Sequence, residues 1–459
     1  MTGARLIGLA ALFTLLVTML AGVPARAAVF NPETFTLANG LQVVVIPNHR
    51  VPVVTQMVWY KVGAADEAPG ETGLAHFLEH LMFKGTATVK PQEFSKIVAR
   101  NGGQDNAFTT QDYTAYFENV ARDRLEVVMQ MEADRMVNLR LNDSVVLPER
   151  DVVREERRSR IDNNPAAVLD EEMAATTYMN LPYHRPVIGW DHEIRELGTK
   201  KAIDFYHRHY APNNAVLVVA GDVTADELRP LAEKYFGPLK RHDVAPRVRP
   251  QEPPHHAAKR VTLRDDRVKQ PQWMRSYLAP SYSAGETKYA DALQVLAQIL
   301  GGDTSSRLYR SLVVENKLAA GVSTYYEAAK LDLTEFSIEA SPQPGVTLDK
   351  LEAGIDAEIA KILEQGVSAD ELARAKKQLI SDATYSRDSM ATAARLFGIA
   401  LCTGGTIDQV ESWPERISAV TAEQVNAAAA AVLAAEHSTT GELLPKKADK
   451  TDKADGEHS

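Results

Sequence analysis

A chain of 459 residues with 45% hydrophobic and 24% charged side chains is long enough for two or three globular domains and too apolar to be disordered throughout. Its 51 Lys and Arg against 61 Asp and Glu leave a formal net charge of −10, so there is no basic excess for a phosphate backbone, and nucleic acid is excluded as an expected partner. The single cysteine, Cys402, rules out a disulfide scaffold and a cysteine-rich zinc site, and its apolar neighbours predict a small buried hydrophobe.

The first thirty residues hold two arginines and no acid. An apolar run from Leu6 to Val23 is followed by Ala25-Arg26-Ala27, the order of a secretory signal cut after Ala27. The mature chain is therefore expected to be exported, to a bacterial periplasm. The alternative is an uncleaved anchor, because the run is only just short of the roughly 20 residues that span a bilayer. No later segment is long and apolar enough to do so.

After the signal, Asn39-Gly40 between β-rich runs predicts a hairpin, and Val53 to Val62 a further strand. Helices and strands alternate up to the buried strand Asn214 to Gly221 and a helix through Glu227 and Tyr235. Residues 241–256 are rich in Pro, Arg and His without apolar periodicity and read as a linker. Beyond it, strands near Val261 and Trp273 and a helix from Tyr289 to Leu300 repeat the order of the first half, with long helices following near Leu348 and Ala369. The expected organisation is a signal at 1–27, an α+β domain at 28–240, the linker, a homologous α+β domain at 257–444, and a disordered charge-balanced tail at 445–459.

The chemistry is concentrated in Thr72 to Gly85, TGLAHFLEHLMFKG. Leu74, Phe77, Leu78 and Leu81 follow helical spacing, and at about 100° per residue His76, Glu79 and His80 fall on the opposite face. Histidines at i and i+4 can both reach one zinc ion, and the carboxylate between them is left free to work on a water. A solvated polar face is the bland alternative. Catalytic zinc needs a third protein ligand. The run Pro148 to Arg158, with proline at a helix-start position, places Glu149, Val152, Val153 and Glu156 on one stripe. The valines should turn that stripe to the core, which makes Glu156 the ligand candidate and Glu149 its buried neighbour; Glu155 projects to the charged side.

HFLEH with Glu156 in ERDVVREERR resembles the inverted zinc motif of the pitrilysin/insulinase family. The resemblance extends through Gly102 to Tyr116, Phe205 to Val223 and Gly301 to Leu312, and so spans nearly the whole mature chain. It implies two homologous halves, each a mainly antiparallel sheet packed with helices, together forming half of a clamshell. It further implies one Zn2+ held by His76, His80 and Glu156, with Glu79 as general base and Glu149 as a supporting acid. The block containing Asn106 and Ala107 would be an edge strand that pairs with extended peptide substrate. Phe83 matches an aromatic lining the site, with core packing as its alternative.

One departure stands out. Active members carry an arginine and a tyrosine seven residues apart, and the matching positions here are Val313 and Ala320. The second half also lacks HxxEH. The leading expectation is thus the zinc-bearing subunit of a heteromeric endopeptidase, resembling that of mitochondrial processing peptidase, whose homologous companion supplies the Arg/Tyr pair. A self-sufficient oligopeptidase and a non-catalytic assembly or scaffold subunit are the competing readings.

Overall fold

The structure is a computed structural model describing residues 29–446; the expected signal at 1–27 and the tail from residue 447 onward lie outside the described residues. Strand β1 (Glu33–Thr36) turns through Asn39-Gly40 into antiparallel β2 (Gln42–Pro47). Gly40 takes φ 93°, a left-handed conformation that favours glycine, and a Cβ there would meet the Asn213 side chain at 2.9 Å. With β3 (Val53–Tyr60), β4 (Gln104–Thr109), β5 (Thr114–Ala121) and β6 (Ala215–Gly221) they form one sheet in the order β1-β2-β6-β3-β5-β4. Only β2 and β6 pair in parallel. β4 is a free edge.

Every residue of β6 is buried, as expected of a strand covered on both faces. Leu217 and Val219 pack with Val43, Val45, Val58 and Tyr60 on one face. Val216, Val218 and Ala220 pack with Val44, Met57 and Trp59 on the other. The first face is covered by helices of the same half, including α1 (Leu74–Leu81), α2 (Glu93–Arg100), α3 (Leu125–Val137), α4 (Asp143–Arg157) and, after α5 (Pro165–Thr177), α6 (Thr199–His209) and α7 (Ala225–Tyr235).

The second sheet, from β7 (Lys259–Asp265), β8 (Gln272–Ala279), β9 (Ala319–Tyr326), β10 (Thr334–Pro342) and β11 (Ser438–Pro445), runs β7-β11-β8-β10-β9. Its parallel pair, β7 with β11, and its antiparallel remainder repeat β2-β6-β3-β5-β4 strand for strand. The two halves are therefore topological copies, the first carrying β1 in addition. In the second half α8 (Ala290–Gly301), α9 (Leu348–Gln365), α10 (Ala369–Ser386) and, beyond α11 (Met390–Cys402), α12 (Ala422–Val432) build the core on one face.

The remaining faces are covered by exchange. Helix α5 of the first half lays Leu169 and Met173 against Leu443 and Met274 of the second sheet. Helix α11 of the second half lays Ala393, Ala394, Phe397 and Cys402 against Val44, Trp59 and Val218 of the first. Cys402 is the buried hydrophobe anticipated, and burial pushes its thiol up to about 12.

Residues 241–256 contain no helix or strand, yet they are pinned at several points. The Arg249 guanidinium reaches Asp66 (3.1 Å), Asp112 (3.4 Å) and Asp332 (3.2 Å), which belong to both halves. Glu252 accepts the backbone N–H groups of Met179, Asn180 and Leu181. Three sequence expectations need correction. Pro148 does not open its helix: α4 begins at Asp143, where Asn142 caps Ser144 N at 3.0 Å, and the proline sits in the second turn. Val152 is 50% exposed, because the inward seam runs Val146, Glu149, Val153, Glu156 and passes it by one residue. The second domain also extends to Pro445, which pairs with Asp265 rather than beginning a tail. No helix among the described residues is long and apolar enough to cross a membrane.

Candidate metal centre

Helix α1 is held at its start by a buried carboxylate. Glu67 accepts from Gly73 N (3.1 Å) and Ala75 N (2.7 Å), meeting the unpaired donors of the first turn with negative charge. Gly73, at φ 87°, presses so close to the 188–189 turn that a Cβ would lie 2.5 Å from Ile188 O. The apolar side of α1 enters the core through Leu74, Phe77, Leu78 and Leu81, all fully buried. Its other side is not open to solvent either: His76 and Glu79 are each 9% exposed, since α4 and β4 close over them. This burial removes the solvated-face alternative for the motif.

Opposite α1, the inward seam of α4 presents Glu149 and Glu156, while Glu155 points outward and pairs with Arg158 at 2.6 Å. His80 Nε2 lies 3.2 Å and His76 Nε2 3.8 Å from the same oxygen of Glu156. Ligand atoms of these three residues all fall within 4.8 Å of one another. Two ligands bonded at about 2.0–2.1 Å to a tetrahedral zinc stand roughly 3.4 Å apart, close to the 3.2 and 3.8 Å that separate the two histidines from Glu156, so the trio could hold one such ion. The neighbours orient it. Glu149 Oε1 sits 3.0 Å from His80 Nδ1, which aims the other ring nitrogen at Glu156, and Glu149 is paired in turn with Lys84. Arg160 holds the second oxygen of Glu156 at 2.8 Å. His76 Nδ1 is buried without a hydrogen-bond partner among the described residues.

The charges follow from this packing. Burial, then the neighbouring His80, push His76 down to about 4 against the pull of Glu156. Burial also opposes a charged His80, but its bonds to Glu149 and Glu156 outweigh that and raise it to about 9. The bond with His80 keeps Glu156 below the usual carboxylate range despite partial burial. For Glu79 burial dominates and raises the group, although Thr109 donates to its Oε2 at 2.5 Å.

Asn106 and Ala107 lie on β4, the free edge beside α1, with the Asn106 side chain accepting from Ala107 N at 2.8 Å. Phe83 is half-buried and packs edge-on against Phe94, ring centroids 5.8 Å apart, with the Arg135 guanidinium 5.0 Å from its own ring. Val313 lies in the helical turn Tyr309–Glu315, and Ala320 is exposed on β9, the edge strand of the second sheet. Lys84, Arg160 and Thr109 were not foreseen. The first two stand four residues beyond His80 and Glu156, a helical spacing that could have suggested them; Thr109 had no local signal.

An HxxEH helix joined by a carboxylate from a neighbouring helix as third candidate ligand, on a scaffold of two like-ordered sheets, defines the class of inverted-motif peptidases. The profile of the insulinase family, peptidase family M16, matches residues 42–191, and that of the M16 inactive domain matches residues 197–379. The chain belongs to this family of zinc metallopeptidases. It is 34% identical over 398 residues to the zinc protease PqqE of Helicobacter pylori, covering 86% of this chain and 88% of that one. The crystal structure of a protease from Helicobacter pylori superposes with a TM-score of 0.83 at 31% identity, over 90% of this chain and 99% of that one. The fold of the periplasmic protease PqqL from Escherichia coli matches at a TM-score of 0.75 and 19% identity, over 90% of this chain but 47% of PqqL.

Proposed function

We propose that this chain is a zinc-dependent endopeptidase acting on peptides or unfolded segments, and the catalytic subunit of a heteromer. The observation that carries the reading is the convergence of His76, His80 and Glu156 beside a buried carboxylate outside that cluster, Glu79. His76, His80 and Glu156 would hold one zinc ion. Zinc bound there supplies Lewis acidity, which lowers the pKa of a water from 15.7 to about 7 and polarises a carbonyl. Glu79 accepts the proton from the attacking water and returns it to the leaving amine, so hydrolysis needs no covalent enzyme intermediate. Its burial favours taking the proton, because a carboxyl with a raised pKa holds a proton more readily. The free edge of β4 offers backbone groups to an extended substrate, which a folded domain cannot present.

Metal analysis tests the ligand set. Glu156→Ala is expected to strip zinc from the purified protein, whereas Glu155→Ala, on the solvent side, should retain a full equivalent. Glu149→Ala, which removes only the group behind His80, should weaken zinc by about 10–100-fold. Greater zinc loss at Glu155 than at Glu156 would overturn the assignment.

The heteromer rests on Val313 and Ala320. Negative charge develops on the substrate carbonyl oxygen, and neither side chain can offer a donor to it. Losing one such donor typically costs about 10²–10³ in kcat. The chain alone is therefore expected to cleave a quenched peptide slowly and to gain about 100-fold on mixing with a homologous protein that lacks HxxEH but carries Arg and Tyr at these positions. Full activity alone, unchanged by the addition, would make the chain a self-sufficient oligopeptidase.

A further inference from the structure

We infer that Thr109 is a positioning residue for Glu79, its hydroxyl fixing the orientation of the carboxylate that takes the proton; the inference rests on the peptidase reading above. Thr109 Oγ1 donates to Glu79 Oε2 at 2.5 Å and is the one side-chain hydrogen-bond donor to that group among the described residues. The terminal torsion of a glutamate is broad and two-fold, so an unanchored carboxylate samples many orientations. A donor on Oε2 removes that freedom and leaves the other oxygen for the reacting water.

The donor is itself held from several sides. Thr109 pairs with Thr114 on the last rung of the β4–β5 hairpin, next to the turn bond from Thr110 N to Tyr113 O at 2.8 Å. Ala64 N and Ala65 N grip the turn through Thr110 O and Gln111 O, both at 2.9 Å. Gly63 lies so close beneath it that a Cβ would sit 2.4 Å from Thr110 O. The fully buried Thr114 hydroxyl donates to Val62 O at 3.0 Å and stands 3.5 Å from Thr109 Oγ1. Strand alternation turns the neighbouring Phe108 to the opposite face, against Trp59, and keeps the Thr109 side chain on the face of Glu79. The same residue ends the free edge to which an extended peptide would add. Substrate seating and the aim of the base thus share one strand.

Thr109→Val keeps the β-branched shape and strand preference while deleting the hydroxyl. Measured on the zinc-loaded full chain under the conditions of highest wild-type turnover, it is expected to lower kcat by about 10–100-fold, the scale of losing near-attack alignment. KM should stay within about twofold, zinc content and melting temperature should hold, and the metal-free variant should bind a fluorescent extended peptide as the parent does. Thr109→Ser should recover most of kcat. Wild-type kcat in Thr109→Val, or a loss carried by KM or by zinc content, would overturn the inference. Wild type and Glu79→Gln run in parallel separate the layers: a zinc-loaded wild type without turnover removes the peptidase reading itself, turnover surviving in Glu79→Gln removes Glu79 as the base, and an inert Glu79→Gln beside a full-speed Thr109→Val removes only the role of Thr109.

Discussion

Glu79→Gln is expected to leave zinc bound at the parental stoichiometry and to reduce peptide hydrolysis by at least about 10²–10⁴-fold, the usual contribution of a positioned base. That is about 3–5 kcal/mol of barrier at 1.36 kcal/mol per decade. The amide keeps the size of the carboxylate and can still accept from Thr109 through its oxygen, so the fold around α1 is preserved. What it loses is the capacity to take a proton. His80→Ala should behave differently, losing metal and turnover together, because His80 faces Glu156 at 3.2 Å while its other nitrogen is held by Glu149. Metal content alongside initial rates on a quenched peptide separates the two. Substantial turnover in Glu79→Gln would refute its assignment as the base.

The largest expected effect on stability is at a position with no part in the chemistry. Gly398 lies within α11, where helix propensity alone favours alanine by about 0.8–1.0 kcal/mol. Packing reverses the sign: a Cβ at Gly398 would stand 2.0 Å from Cε2 of Trp59, a ring itself wedged against Phe108 and Tyr113 with centroids 5.4 and 5.2 Å away. Neither ring nor helix can yield without opening the contact between the halves. Overpacking commonly costs about 1–3 kcal/mol, and with a fixed indole Gly398→Ala should reach the upper part of that range after the propensity gain is subtracted. A fall in melting temperature of roughly 5–10 °C is expected. Gly321→Ala, on β9 with open space around its Cβ position, is the control and should change little. Equal stability of Gly398→Ala and the parent would show that α11 is not seated on Trp59.

The HxxEH helix was legible because its signal is local. Leu74, Phe77, Leu78 and Leu81 alternate with His76, Glu79 and His80 inside three turns, and helical periodicity converts that spacing directly into faces. The strands around Val44, Met57 and Val218 were legible for the same reason, as was the Asn39-Gly40 turn, whose glycine occupies a positive φ. Glu156 faces the histidines and Glu155 points outward although part of the premise for that placement failed: Val153 turns inward, Val152 does not, and one buried valine was enough to set the register. The misreading of Pro148 has a similar origin. Its preference for a first turn competes with the cap at Asn142, and no rule applied to the proline alone decides between them.

By itself the sequence determined the elements, their repeated order in two halves and the HxxEH face, all of which depend on residue type and short-range spacing; the weight placed on Val313 and Ala320 came from the family resemblance. Only the tertiary structure decided that α5 and α11 each cover the other half's sheet, that Arg249 binds carboxylates 183, 137 and 83 positions away, and that Thr109 meets Glu79 across 30 residues. Such contacts carry no periodic trace along the chain, because the partners are brought together by burial of surfaces whose apolar patterns specify that they pack, not what they pack against.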